Sequence, residues 1–229
     1  RRHQADYLDV FRQVASGAIG EVVGANVYWN GQVPWYRDRE PGWTDMEYML
    51  RDWVNWTWLS GDHIVEQHVH NLDVINWAFD QGADYYVLAE PSSGPALMSP
   101  KTWEKFVLPM MTSVCEKAKG PIVLHICANT DKIISFMCDT GVAGISIEEK
   151  ADLKKAVEIA HAKGVRVFGN VATATTLFMG TVEDSYKEAV ACLENGTDFL
   201  TPGCGIAPLS PLANVQQLRK ARDDFFKVG

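Results

Sequence analysis

The sequence predicts an α/β protein with about five parallel βα units, preceded by a smaller α+β segment. From residue 81 onward, short apolar runs alternate with longer amphipathic segments, in units of about thirty residues. Glycines stand at the expected ends of the amphipathic segments, as is typical of helix termini. A succession of βα units makes a parallel sheet with right-handed crossovers nearly obligatory.

Each strand is predicted where a short apolar run is bounded by turn-forming residues. The predicted strands are Tyr85–Ala89, Pro121–Ile126, Ala143–Ile147, Val165–Gly169 and Asp198–Thr201. The predicted helices are Pro100–Ala118, Thr130–Cys138, Ala151–Lys163, Val182–Asn195 and Leu212–Phe226. Two helix starts carry capping signals, because Ser99 precedes a proline and Thr181 is followed three residues later by Asp184.

The composition changes near residue 80. Residues 1–80 contain seven of the eight tryptophans and neither lysine nor cysteine, whereas residues 81–229 contain all the lysines and cysteines. We therefore predict two domains with these bounds. The contrast favours a chimeric chain, joined from two sources, over a natural two-domain protein.

Overall composition excludes several classes of partner. The net charge is −8 and no basic stripe is present, so neither nucleic acid nor an anionic membrane surface is an expected partner. No signal peptide and no apolar run long enough to span a bilayer is found. Five cysteines, an odd number without disulfide-like spacing, indicate a reducing compartment, and we expect a cytoplasmic protein.

Two distant segments together supply one imidazole and two thiols: His125 and Cys127 in the first, and Cys204 in the second. Both follow apolar runs that are predicted to be parallel strands, so the three side chains fall near strand ends. In an α/β barrel that edge is the catalytic face. A catalytic zinc takes three nitrogen or sulfur ligands and leaves a fourth position open, which favours a zinc site. The alternative is that His125 and Cys127 simply end a strand and that Cys204 packs as a small apolar residue.

The residues around these ligands resemble the methylcobalamin:thiol methyltransferases of the uroporphyrinogen decarboxylase superfamily. The resemblance begins at about residue 82 and rests on six segments. They are Gly82-Ala83-Asp84, Ser92-Ser93-Gly94 with Met98-Ser99-Pro100-Lys101, His125 to Thr130, Gly144-Ile145-Ser146, Gly169-Asn170-Val171 and Pro202 to Pro208. The family's zinc motif falls on His125, Cys127 and Cys204. Decarboxylases of the superfamily lack this motif, so the resemblance favours methyl transfer to a thiol.

This resemblance implies a TIM-type (β/α) barrel, of which the chain would hold only the last five strands. We therefore expect a partial barrel with exposed sheet edges, covered by the first 80 residues or by self-association into a homo-oligomer. The resemblance also implies a Zn²⁺ cofactor, a separate corrinoid protein as methyl donor and a small thiol such as coenzyme M as acceptor. Glu90 and Glu148, at strand ends, are candidate catalytic residues that would orient the zinc ligands or the substrate. Surface or salt-bridge roles are the alternative for both.

The first segment resembles the C-terminal domain of Gfo/Idh/MocA oxidoreductases. The resemblance rests on Gly17 to Val22, the strand that follows it, and the stretch from Gly61 to Trp77. It implies that Glu66 and His70 occupy the positions that face the sugar and the nicotinamide, with glutamate where aspartate is usual. No strand runs into a Gly-x-Gly-x-x-Gly turn, so hydride transfer by this chain alone is not expected. A metal cluster of His63, Glu66 and His70 on one helical face, or simple packing of that helix, are further interpretations.

These observations predict a zinc-dependent methyltransferase-like protein that moves a methyl group from a methylated corrinoid protein to a thiol. An inactive form is an alternative, because absent barrel strands would remove part of the pocket wall. The sequence is also compatible with an oxidoreductase fragment, a non-catalytic chimeric scaffold or a uroporphyrinogen decarboxylase-like lyase.

Overall fold

A computed structural model describes residues 4–18, 20, 35–61, 79 and 82–228 of the chain. The chain divides into two compact units, residues 1–84 and 85–229. The division predicted from composition, 1–80 and 81–229, stays a prediction about two ancestries, because compactness does not reveal ancestry.

The described part of the first unit is helical. It contains α1 (Ala5–Ala15), α2 (Asp45–Arg51), a 3₁₀ turn (Trp53–Asn55) and α3 (Thr57–Ser60). The hydroxyl of Thr44 caps α2 by accepting a hydrogen bond from the backbone N–H of Glu47 at 3.2 Å. The predicted strand at residues 21–30 lies outside the described residues.

The second unit is built on a parallel five-stranded sheet. Its strands are β1 (Tyr86–Ala89), β2 (Ile122–Ile126), β3 (Gly144–Ile147), β4 (Arg166–Val171) and β5 (Phe199–Pro202). They lie in the order β1-β2-β3-β4-β5, and every neighbouring pair is parallel. The predicted α/β fold with five parallel strands is confirmed.

Helices connect the strands on the outside of this sheet. They are α4 (Leu108–Lys117), α5 (Ile134–Asp139), α6 (Leu153–Ala162), α7 (Val182–Glu194) and α8 (Leu212–Phe226). The predicted helix from Pro100 is helical along its whole length to Lys117, but the type of helix changes. A short α-helical turn and a π-helical segment, Trp103–Val107, precede α4. A second π-helical segment, Thr173–Phe178, follows β4 and was not predicted.

The main core lies between the sheet and these helices. Leu124, Ile126, Ile145, Ile147 and Val167 are fully buried there, together with apolar side chains of α5 and α6. Burying each such side chain contributes about 1.5–3 kcal/mol. Apolar residues on the helix-facing side of the strands therefore hold the sheet in the position from which its strand ends present the candidate site.

Aromatic rings show that the sheet is strongly curved. Phe168 and Phe199 are partners in the β4–β5 register, and their rings stack with centroids 4.2 Å apart. Tyr85, which immediately precedes β1, lies 6.4 Å from the ring of Phe199 on β5. Because β1 and β5 are the two edges of the sheet, this contact requires the sheet to bend toward a barrel.

Within the described ranges, the structure contains no helix with both the length and the apolar character needed to cross a membrane.

Candidate metal centre

Three side chains converge at the carboxyl ends of the strands. His125 lies in β2, Cys127 directly follows β2, and Cys204 follows β5 two residues after its end. One ligand atom from each of these residues lies within 4.8 Å of the other two. Curvature of the sheet thus joins segments 77 residues apart in sequence.

The distances between these atoms match the needs of a tetrahedral zinc ion. Sγ of Cys127 lies 3.8 Å from Sγ of Cys204 and 3.3 Å from Nε2 of His125. Two thiolates that each bind zinc at about 2.3 Å in tetrahedral geometry stand about 3.8 Å apart. The two sulfurs and the imidazole therefore fit a zinc ion that has one position left for another ligand.

The imidazole of His125 is oriented by the neighbouring strand. His125 and Ser146 are partners in the β2–β3 register, and Nδ1 of His125 lies 3.1 Å from Oγ of Ser146. When Nδ1 carries the proton, it donates to this hydroxyl, and Nε2 presents its lone pair toward Cys127. Such a hydrogen bond on the far nitrogen is what usually fixes a metal-binding histidine.

Burial and mutual proximity set the protonation of the ligands. Burial lowers the pKa of His125 below its usual value, so the neutral, ligating form dominates at neutral pH. Burial and the neighbouring thiol of Cys204 together raise the pKa of Cys127 to about 11. A divalent cation bound here would stabilise the thiolate of Cys127 and favour loss of its proton.

Glu148 supports the turn that carries Cys127. Its carboxylate accepts a hydrogen bond from the backbone N–H of Ala128 and pairs with Nζ of Lys150 at 2.9 Å. Ala128 has a φ of 68°, a left-handed conformation that is unusual for a residue other than glycine. Burial opposes ionisation of Glu148, but Lys150 and the Ala128 N–H outweigh it and lower the pKa of Glu148. A charged carboxylate thus holds the backbone next to Cys127.

Glu90 has local partners instead. It follows β1, its backbone N–H donates to the carbonyl of His125 at 2.9 Å, and its carboxylate accepts a hydrogen bond from the hydroxyl of Ser92. Neither Glu90 nor Glu148 belongs to the group of three ligand atoms found in the described residues.

The candidate residues of the first segment are not reached by the structure. Glu66 and His70, and with them His63, lie outside the described residues.

Two residues near the centre had no assigned role from sequence. Ser146 lies in one of the segments that carries the methyltransferase resemblance, but only the strand register places it against His125. Lys150 is a surface lysine in the sequence pattern, and its contact with Glu148 arises from the turn after β3. Spacing in the sequence does not reveal either contact.

Comparison with known proteins shows which family this chain resembles over most of its length. A family model described as uroporphyrinogen decarboxylase (URO-D) matches residues 67–225. Methylcobamide:CoM methyltransferase MtaA of Methanosarcina barkeri is 37% identical over 151 residues, which are 66% of this chain and 44% of that protein. Methylcobamide:CoM methyltransferase MtbA of Methanosarcina acetivorans is 33% identical over 167 residues, which are 69% of this chain and 49% of that protein.

A solved structure supports the same grouping. The structure of a methyltransferase from Methanosarcina mazei superimposes with a TM-score of 0.67 and 35% sequence identity, and the match covers 80% of this chain and 54% of that one. The chain thus spans about half the length of the relatives that it matches.

Proposed function

This chain belongs to the uroporphyrinogen decarboxylase (URO-D) family, and from that premise we propose that it is a zinc-dependent methyltransferase. The methyl group would come from a methylcobamide carried by a separate corrinoid protein, and the acceptor would be a small thiol such as coenzyme M. The two curated relatives described above bear names that specify methylcobamide and CoM.

One observation carries this proposal: His125, Cys127 and Cys204 present an imidazole nitrogen and two sulfurs within 4.8 Å of one another. The donor set and the sulfur–sulfur distance of 3.8 Å suit zinc. When bound, the zinc would lower the pKa of the acceptor thiol, so that a thiolate is available at neutral pH.

The surrounding residues have distinct tasks in this scheme. Ser146 holds the imidazole of His125, and the Glu148 carboxylate fixes the backbone at Ala128 and thereby the position of Cys127. Two cysteine ligands would offset the charge of a divalent ion, which keeps an acceptor thiolate nucleophilic. Glu148 and Glu90 are proposed as orienting residues for the site and not as ligands.

The competing functions differ in what they need from the chain. A uroporphyrinogen decarboxylase-like lyase would not need the two thiols. A Gfo/Idh/MocA-type oxidoreductase fragment would depend on Glu66 and His70, and no observation on the described residues favours it. A non-catalytic chimeric scaffold would bind zinc without turnover. We place the proposed enzyme in the cytoplasm, where cysteines stay reduced.

Zinc content and methyl transfer, measured on the same preparations, test the proposal. We expect one zinc ion per chain in the parent protein by elemental analysis, and its loss in both Cys127→Ala and Cys204→Ala. Cys115→Ala is the matched control, because Cys115 is a partly exposed free thiol outside the ligand group. It should retain the metal.

The same samples are then mixed with methylcobalamin and coenzyme M, and transfer is followed by the change in corrinoid absorbance. Transfer by the parent and by Cys115→Ala, but not by the two ligand variants, supports the proposal. Zinc binding without transfer would favour the non-catalytic scaffold. Absence of zinc from the parent would contradict the metal centre.

A further inference from the structure

The segment that carries Cys204 passes through a narrow space at Gly203. Gly203 is buried, and its N–H donates to the carbonyl of Val171, at the end of β4, at 2.8 Å. Glu148 and Glu149, which follow β3, lie next to the position that a Cβ atom of residue 203 would occupy. The segment is therefore enclosed between the ends of two neighbouring strands.

A side chain at position 203 would crowd the atoms that line this space. A Cβ atom there would lie 2.9 Å from Oε2 of Glu149, 3.0 Å from the backbone nitrogen of Glu149 and 3.2 Å from Cα of Glu148. The contact with Cα of Glu148 is shorter than the about 3.5–4.0 Å that is usual between nonbonded carbon atoms, and all three neighbours would have to give way. The carboxylate of Glu149 can rotate away, but the two backbone atoms can move only if the turn after β3 moves.

Backbone conformation does not explain this glycine. Gly203 is not among the glycines with positive φ, so alanine can adopt its backbone angles. Oε2 of Glu149 is buried and has no hydrogen-bond partner in the described part of the chain, which is consistent with a contact that excludes water. Glycine is favoured at position 203 because the two segments approach each other closely there.

Gly205, on the other side of Cys204, is a natural contrast. It is exposed, its φ is also not positive, and a Cβ atom at this position would meet nothing within 4 Å. The two glycines that flank Cys204 thus differ in their surroundings while sharing the same neighbour in sequence.

We infer that Gly203 is a positioning residue of the metal centre: its lack of a side chain lets the segment lie close to the end of β3. This closeness holds Sγ of Cys204 at 3.8 Å from Sγ of Cys127. The inference rests on the proposed function for the role of the metal, whereas the spacing of the thiols exists without it.

Gly203→Ala and Gly205→Ala form the matched pair that tests this role. We expect Gly203→Ala to bind Zn²⁺ about 10-fold more weakly in competition with a chromophoric chelator. Its Co²⁺ complex should have a weaker thiolate-to-cobalt charge-transfer band, because one thiol is displaced. Gly205→Ala should match the parent in both measurements. Equal affinities and equal spectra for the two folded variants would overturn the inference.

Circular dichroism and thermal unfolding establish whether each variant is folded. If Gly203→Ala does not fold, the double variant Gly203→Ala/Glu149→Ala removes the contact at 2.9 Å and leaves the two backbone contacts. With Glu149→Ala as its reference, the double variant should still bind Zn²⁺ more weakly. Full affinity in the double variant would overturn the inference.

A metal-free measurement separates this inference from the proposed function. In the parent, diamide should oxidise Cys127 and Cys204 to a disulfide, accepting the two electrons and two protons that the thiols lose. Peptide mapping should find this disulfide forming at the parent rate in Gly205→Ala and several-fold more slowly in Gly203→Ala. Failure of the parent to bind Zn²⁺ or Co²⁺ would reject the metal centre alone, and equal oxidation rates would reject the role of Gly203.

Discussion

Ser146 lies against a residue of the proposed metal centre because of the register of two neighbouring strands. It stands opposite His125 in the β2–β3 pairing, and its hydroxyl lies 3.1 Å from Nδ1 of that residue. A histidine held at its far nitrogen keeps one ring orientation and one tautomer, and both raise metal affinity.

Removing this hydroxyl should therefore weaken the site without disturbing the fold. We expect Ser146→Ala to lower Zn²⁺ affinity about 10-fold, measured by chelator competition. Ser113→Ala is the control, since the Ser113 hydroxyl accepts a hydrogen bond from exposed Lys117 on α4, outside the metal centre. An affinity for Ser146→Ala equal to that of the control would mean that the ring of His125 is held by packing alone.

The proposed ligand set could be picked out from sequence because its residue types are rare and chemically specific, and the structure brings the three side chains together. Histidine and cysteine near predicted strand ends indicate a metal even before the strands are paired. The supporting residues are not predictable in this way. Serine, glycine and lysine are common, and the roles of Ser146, Gly203 and Lys150 depend on distances between strands that spacing along the chain does not contain.

At the scale of elements, strands are better predicted than helices. Each of the five strands lies within two residues of its predicted bounds, because a buried parallel strand reads as a short apolar run. The predicted helix Thr130–Cys138 begins only at Ile134, after a turn in which the carbonyl of Thr130 accepts from the N–H groups of Ile133 and Ile134. π-Helical segments were missed, since side-chain periodicity does not distinguish them from short α-helices.

Capping signals predicted two helix starts correctly. The hydroxyl of Ser99 accepts from the N–H of Thr102 at 3.1 Å, and Thr181 and Asp184 form a reciprocal capping box. Such signals succeed because the partners are three residues apart and need no tertiary contact.

Asp198 joins three elements at the opposite end of the sheet from the metal centre. Asp198 is the residue directly before β5. Its carboxylate accepts a hydrogen bond from Nε2 of His161 on α6. It also accepts hydrogen bonds from the side chain of Arg166 and the backbone N–H of Val167, both on β4, and each of the three distances is 2.8 Å. Burial opposes its ionisation, but these three donors outweigh burial and lower the pKa of Asp198.

This network makes a pH-dependent contribution to stability. A folded-state pKa below the unfolded value of about 3.9 stabilises the fold above that pH, and the contribution is lost as pH falls through the folded value. At pH 7, Asp198→Asn should lower the free energy of unfolding by about 1–3 kcal/mol, measured with urea. The difference from the parent should shrink as the pH falls below about 4.

Asp224→Asn is the control for this prediction. Asp224 is likewise a paired carboxylate, with Lys220 and the hydroxyl of Tyr186 as its partners, but it lies on the exposed surface of α8, where water and salt screen the interaction. A smaller effect is expected there. A difference for Asp198→Asn that stays constant down to acid pH would show that the carboxylate acts by packing and not by charge.

At the scale of the whole molecule, five curved strands form part of a barrel. The contact between Tyr85 and Phe199 brings the two edges of the sheet toward each other at the end opposite the metal centre. The chain covers 54% of the similar methyltransferase structure, which agrees with a partial barrel. The sequence pattern predicted the five parallel strands from the number of βα units, but it did not predict how far the sheet curves.

Among the strands that the structure describes, β1 and β5 are the outer ones of the sheet, and outer strands with apolar side chains favour pairing with another chain. Val87 on β1 and Phe199 on β5 are 42% and 45% exposed, so apolar side chains on both outer strands are accessible.

We expect the purified chain to self-associate, with a sedimentation coefficient that rises with concentration. Val87→Lys should weaken this association, because a charged residue on an edge strand opposes pairing. Leu209→Lys places the same charge at an exposed apolar residue outside the strands, so this variant should associate like the parent. Association through the sheet edge would be contradicted if the parent stays monomeric at all concentrations. It would also be contradicted if the two lysine variants have equal effects.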